Sequence, residues 1–239
     1  MSPASSSVRT SAPRPAGTGP EIAVEVGVGF ALLVCATLAG MVLVHRPCPN
    51  RLDVAGFTLL PASPDSRKYH DIAAIGSFPV LIIGIGFATI LSVWRDRARA
   101  VACLIGPALA VVVTERIAKP LVGRHVTVLG GNSYPSGTVT AAAALMVVIV
   151  LAAPRLFRML LVLPACGVVL AVSAAVVGMR WHYPTDALGG ICVGIGTVLL
   201  FDGIAHVPGL LRARRNVPSA APVRRSPYED TGPFVPIPR

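Results

Sequence analysis

Six apolar runs, at about residues 26–44, 72–94, 100–118, 138–153, 159–179 and 187–206, constrain this chain more than any other feature. Each lies near the length of helix, about 20 residues, that crosses a hydrocarbon core about 30 Å thick. Lipid offers the backbone no hydrogen-bond partners, so such runs fold as helices. A residue content 54% hydrophobic and 13% charged, with mean hydropathy +0.70, excludes an ordinary soluble domain. The expected architecture is all-α: a polytopic membrane protein whose six-helix bundle occupies residues 21–208. Residues 1–20 and 209–239, rich in Pro, Ser and Arg, read as tails that bury no core. Arg9 and Arg14 precede the first run as in a signal peptide, but the polar leader is long and the run exceeds an ordinary signal core, so it reads as a span.

The net charge of +10 does not describe a nucleic-acid binder, because the arginines are scattered and no basic stripe alternates with aromatics. They serve better as topology signals. Arg95, Arg97 and Arg99, then Arg155 and Arg158, then Arg212, Arg214 and Arg215 mark one side of the bilayer. The positive-inside rule makes that side cytoplasmic, which puts both termini inside and the opposite loops outside a cell membrane. The five cysteines form neither a CxxC pattern nor a disulfide framework, and free, mostly buried thiols are expected. Paired glycines such as Gly190 and Gly194 suit close helix packing.

Three polar clusters share the face opposite those arginines: "TERIAKPLVGR" leaving the third run, "YPSGT" opening the fourth and "MRWHYPTD" opening the sixth. Lys119 and Arg124 offer a point charge and a planar fork, both suited to phosphate oxygens. Glu115, one turn before Lys119, is placed to hold its ammonium. Ser136 and Gly137 open a helix whose free N–H groups face an anion, although such a pair is more often a simple cap. His182 precedes Pro184, a helix-opening residue, and Asp186 follows four positions later. Two readings of that pair stand: a carboxylate that orients an attacking imidazole, or an interfacial His beside a capping Asp.

Together the clusters resemble the type 2 phosphatidic acid phosphatase (PAP2) superfamily, which shares its core with vanadium haloperoxidases. Its pattern is KxxxxxxRP, then PSGH, then SRxxxxxHxxxD, and here "KPLVGR", "PSGT" and "HYPTD" fall in that order. The resemblance covers about residues 22–206. It implies a six-helix membrane phosphatase with its site on the outer face, a lipid phosphate substrate, and neither metal nor other cofactor. His182 would form a phosphohistidine and Asp186 would orient it. Lys119, Arg124, Ser136, Gly137 and Thr138 would bind the phosphate.

The sequence departs from that pattern at three places. Val126 and Thr127 occupy the RP position, and Ala175 and Val176 the SR position. Arg180, close to His182, is a replacement for the charge or an interfacial anchor. Thr138 stands where the family has the His that protonates the leaving oxygen, and a hydroxyl does not titrate near neutral pH. His125, beside Arg124, is an auxiliary acid or an exposed loop residue. Without an acid, a diphosphate such as a polyprenyl diphosphate is favoured over a monoester, because it expels a phosphate whose second pKa is about 6. Two other functions remain open: a degenerate relative that binds lipid phosphate without cleaving it, and an anion or lipid transporter. Against the second, the runs hold little deep charge and no paired broken helices.

Overall fold

The computed structural model describes residues 19–44, 48–126 and 131–215. Among these residues every regular element is a helix, and the one pairing of extended backbone is an isolated bridge between His125 and Asn132. The first apolar run is α1, Gly19–Val44. Two short helices on the polar face follow, α2 (Arg51–Leu59) and α3 (Arg67–Ala73). A turn of 3-10 helix, Ala74–Gly76, leads into α4 (Phe78–Val93). The third run is continuous from Arg97 to Val122 but changes pitch twice: α5 (Arg97–Val112), a π-helical turn (Val113–Ala118) and α6 (Lys119–Val122). The last three helices are α7 (Gly137–Ala152), α8 (Arg155–Gly178) and α9 (Pro184–Arg215).

All six apolar runs are thus helical, but not all qualify as spans. Length and apolarity qualify four: α1, Arg97–Val122, α8 and α9. A fifth is obtained if α3 and its 3-10 turn are joined with α4 across a 43° bend. The remaining helix, α7, has 16 residues, about 24 Å at 1.5 Å per residue, short of a hydrocarbon core. Its surroundings supply the reason. Val139, Ala141, Ala142, Ala143, Ala144 and Leu145 are all buried, so α7 is a central post packed by other helices rather than a lipid-facing one. The alanine run keeps it slender enough for α4, α5, α8 and α9 to close around it. One apolar cluster joins it to α4 and α5 through Leu81, Ile85, Cys103 and Ala110, and a second joins it to α8 through Val172, Ala175 and Val176.

The first and last helices lie side by side and antiparallel. A Cβ on Gly29 would stand 2.6 Å from the Leu200 nitrogen, and one on Gly203 would stand 2.5 Å from a Val26 methyl. Only glycine allows backbones this close. Gly190 and Gly194 serve α9 against α7 in the same way, facing the carbonyls of Ser136 and Thr140. The start of α1 and the end of α9 therefore share one end of the bundle, and the starts of α7 and α9 share the other.

Two expectations change. The cysteines are free, but Cys103 alone is buried, while Cys35, Cys48 and Cys166 are exposed. Lipid-facing positions accept a thiol as readily as an alkyl group, so an apolar run does not bury it. Helix also continues through Arg215, into the segment expected to be tail. The tails at 1–18 and 216–239, and Thr127, lie outside the described residues.

Candidate active site

The three polar clusters meet at the α7 and α9 starts. His182 sits in the turn between α8 and α9, which folds back tightly: Arg180 adopts a left-handed φ of 61° and the Trp181 N–H donates to Val176 O at 3.0 Å. Pro184 then opens α9 with its φ already helical. Asp186 completes that start, since its Oδ2 accepts the Tyr183 N–H at 3.0 Å while its Oδ1 accepts from Arg124 Nη1 at 2.8 Å. Both oxygens are engaged before any imidazole is considered.

His182 accordingly finds a different partner. Its Nδ1 lies 3.0 Å from Ser133 O and 3.8 Å from Asp186 Oδ2, too far for a hydrogen bond. A carbonyl can only accept, so Nδ1 carries a proton, and the tautomer this selects has its lone pair on Nε2. The residue is 6% exposed, and Nε2 has no hydrogen-bond partner among the described residues. The orienting role expected of Asp186 thus falls, in this geometry, to a backbone carbonyl, and Asp186 caps α9.

Arg124 also differs from expectation. It is 1% exposed, and its fork donates to Thr185 Oγ1 at 2.7 Å, to Asp186 and to Asp53 Oδ2 at 2.6 Å. Its guanidinium also covers the Tyr183 ring at 4.1 Å. Held between two buried carboxylates, it ties the start of α2 to the start of α9 instead of facing an open phosphate position. Its Nε is buried without a partner. Asp53 is the second anchor. It closes a capping box with Asn50 on α2, and its Oδ1 accepts from the Thr185 N–H and hydroxyl at 3.0 and 2.7 Å. Burial by itself would raise its pKa, but hydrogen bonds from Arg124, Asn50 and Thr185 outweigh that and hold it below the ordinary value.

At the start of α7, Ser136 is buried. Its Oγ caps the Val139 N–H at 3.5 Å and its own N–H donates to Asp186 O at 3.0 Å, so the second and third clusters are hydrogen-bonded together. Lys119 Nζ donates to both oxygens of Glu115, at 2.7 and 2.9 Å, as the spacing predicts. The pair lies against Gly137: a Cβ there would collide with Glu115 Oε1 and stand 3.5 Å from Lys119 Nζ. Glycine thus lets the lysine reach the first turn of α7. Thr138 packs on the other side, where its carbonyl leaves room for no side chain at Gly76.

The remaining candidates stand apart. His125 is exposed and pairs with Asn132 through its backbone. Arg180 Nη2 donates to Phe57 O and Leu60 O at 3.3 and 3.2 Å, and its guanidinium stacks on the Phe57 ring at 3.9 Å. It closes the end of α2, satisfying carbonyls that a helix leaves open. Val126 and Val176, at the family's arginine positions, and Ala175, at its serine position, are buried apolar residues. Asp53, Ser133 and Thr185 are the participants that sequence reasoning missed. The Asn50-to-Asp53 capping spacing is legible, but nothing in it names Arg124 as a distant partner.

An apolar cavity of about 350 Å³ adjoins this region between α1 and the Arg97–Val122 rod, lined by Ala36, Gly40, Ile117 and Leu121 and ending at Tyr134 and Pro135. Tyr134 donates its hydroxyl to Ala36 O at 2.6 Å, which fastens the loop before α7 to α1.

No curated protein matches the sequence significantly. Among solved structures, the fold is similar to the crystal structure described as the first transmembrane PAP2 type phosphatidylglycerolphosphate phosphatase from Bacillus subtilis. The TM-score is 0.56 at 18% identity, covering 72% of this chain and 94% of that one. At that identity the likeness concerns the fold alone. The sequence profile of the PAP2 superfamily matches residues 22–205, from α1 almost to the end of α9, and the chain belongs to that superfamily.

Proposed function

We propose that this protein is a lipid phosphate or diphosphate phosphatase that works through a phosphohistidine at His182, on the outer face of the cell membrane. The observation that carries the reading is the imidazole geometry: Nδ1 is fixed by Ser133 O, which leaves the Nε2 lone pair available, at the same end of the bundle as Lys119 and the α7 N-terminus. In the reaction, Nε2 attacks phosphorus, the bond to the leaving oxygen breaks, and that oxygen keeps the electron pair. Water then cleaves the P–N bond, returning the neutral ring and releasing phosphate. Lys119 and the amides at Gly137 balance charge on the phosphoryl oxygens. The cavity ending at Tyr134 and Pro135 has room for part of a hydrocarbon chain, which supports a lipid substrate.

Among the described residues no titrating group takes the place of the family's acid at Thr138, and general acid help is commonly worth about 10²- to 10⁴-fold. Diphosphates, with their better leaving group, are therefore the preferred substrates. The test is phosphate release by purified full-length protein from a panel of polyprenyl diphosphates and matched monophosphates. His182→Ala should abolish release and the acid-labile phosphoenzyme. Full turnover by that variant, or faster cleavage of the monoester, would end the proposal in its first or second part.

One observation favours a second reading, binding without hydrolysis. Arg124 is committed to Asp53 and Asp186, and Lys119 to Glu115, so neither cation is unpaired. Retained lipid-phosphate binding with no turnover on any substrate would select it.

A further inference from the structure

At the opposite end of the bundle, a cavity of about 170 Å³ is lined by Arg95, Arg99, Arg155 and Arg158, with Asp96 as its one carboxylate. Their engagements differ. Arg99 is neutralised by Asp202 at 2.9 Å and by Glu25 at 3.6 Å, and Arg155 meets Glu21 at 2.6 Å. Asp96 is itself held by His206 Nε2 at 2.8 Å. Arg95 and Arg158 meet no carboxylate among the described residues. Arg95 reaches Ala152 O at 3.5 Å, and Arg158 donates to Leu151 O and Ala153 O at 2.8 and 3.1 Å. Both guanidiniums therefore cap the end of α7 with donors to spare.

A second cavity, of about 480 Å³ and almost wholly apolar, lies between α7, α8 and α9. Leu151 lines both cavities. On α8, Arg158 lines the first while Val162, Cys166 and Val169 line the second, and spacings of four, four and three keep them on one helix face. A cationic recess thus adjoins a hydrocarbon-sized groove, with Leu151 at their shared border.

We infer that these adjacent cavities together form a lipid site, at the end of the bundle opposite His182, which takes a phospholipid with an anionic phosphodiester headgroup. The headgroup lies between Arg95 and Arg158, and one acyl chain lies along α8 in the groove. Charge selects the headgroup, since Arg95 and Arg158 meet no carboxylate among the described residues and Asp96 is engaged by His206. The purely apolar groove selects a ligand with a chain over free phosphate. This inference does not depend on the activity proposed above.

The test uses the full-length chain in delipidated detergent, reading the thermal unfolding midpoint against phosphatidylglycerol, phosphatidylcholine and inorganic phosphate in separate titrations. Phosphatidylglycerol, a phosphodiester, should raise the midpoint saturably, with the other two having little effect. Arg95→Gln and Arg158→Gln should each weaken its apparent affinity roughly tenfold, the worth of one hydrogen bond to a charged group. Because Arg158 also caps α7, Ala165→Trp provides the second check. It fills the groove without touching an arginine and should reduce the response to phosphatidylglycerol. An equal response to phosphatidylcholine would overturn the inference by reducing the arginines to general interfacial anchors. Stabilisation by inorganic phosphate alone would overturn it in favour of a free-anion site. So would a full response in the Trp variant.

Discussion

Arg124 is the residue on which the polar end of the molecule depends most. Removing one partner from a buried ion pair leaves an uncompensated charge and commonly costs about 3–5 kcal/mol. Arg124→Met strands both Asp53 and Asp186, so it should lower the unfolding midpoint strongly even though it removes no proposed phosphate contact. Denaturant or thermal unfolding of the purified variant reads this directly. Asp53 makes the same tie sensitive to pH. Its folded-state pKa lies below the ordinary 3.8, so its contribution is complete above about pH 4 and is lost as pH falls through the folded value. Asp53→Asn should be less stable than the parent at pH 7 and show a shallower loss on acidification, measured as unfolding midpoint against pH. The sequence displayed Lys119, His182 and Asp186 because their spacing matches a motif. It did not display Ser133, which acts through its carbonyl and so has no side-chain signature. Nor did it display Asp53, whose partners lie 71 and 132 residues away.

The helices themselves were largely legible, since a long apolar run in lipid has one way to satisfy its backbone. Their junctions were not. The π-helical turn at Val113–Ala118 and the 43° bend before α4 depend on tertiary contacts that periodicity does not record. The short length of α7 was visible as the shortest run, yet its central position emerges only once α4, α5, α8 and α9 surround it. At its start, Gly137 couples two elements. Gly137→Ala pushes Glu115 aside, a cheap movement because the obstacle is the far end of a flexible side chain. The unfolding midpoint should change little, while KM for the phosphate substrate should rise roughly tenfold as Lys119 follows its partner. Phosphate-release kinetics check this, and an unchanged KM would remove Lys119 from the binding set.

Across the whole molecule, charge is confined to two ends of an apolar bundle. One network ties Asp53, Arg124 and Asp186, and the other ties Arg99, Asp202, His206 and Asp96. The described ends of the chain, Gly19 and Arg215, lie at the same end of the bundle as the second network. Reporter fusions at the two termini should both report the cytoplasm, and cysteine labelling at position 125 should report the outside. Opposite results would invert the proposed orientation. The pairing of α1 with α9 also has a temporal side. At about 5–20 residues per second, a ribosome spends on the order of ten seconds between finishing α1 and beginning its neighbour α9. During that interval the Gly29 flank of the newborn first helix is without its α9 neighbour. His182 emerges from synthesis at the same late stage, so an interrupted chain that lacks its last segment lacks the proposed nucleophile.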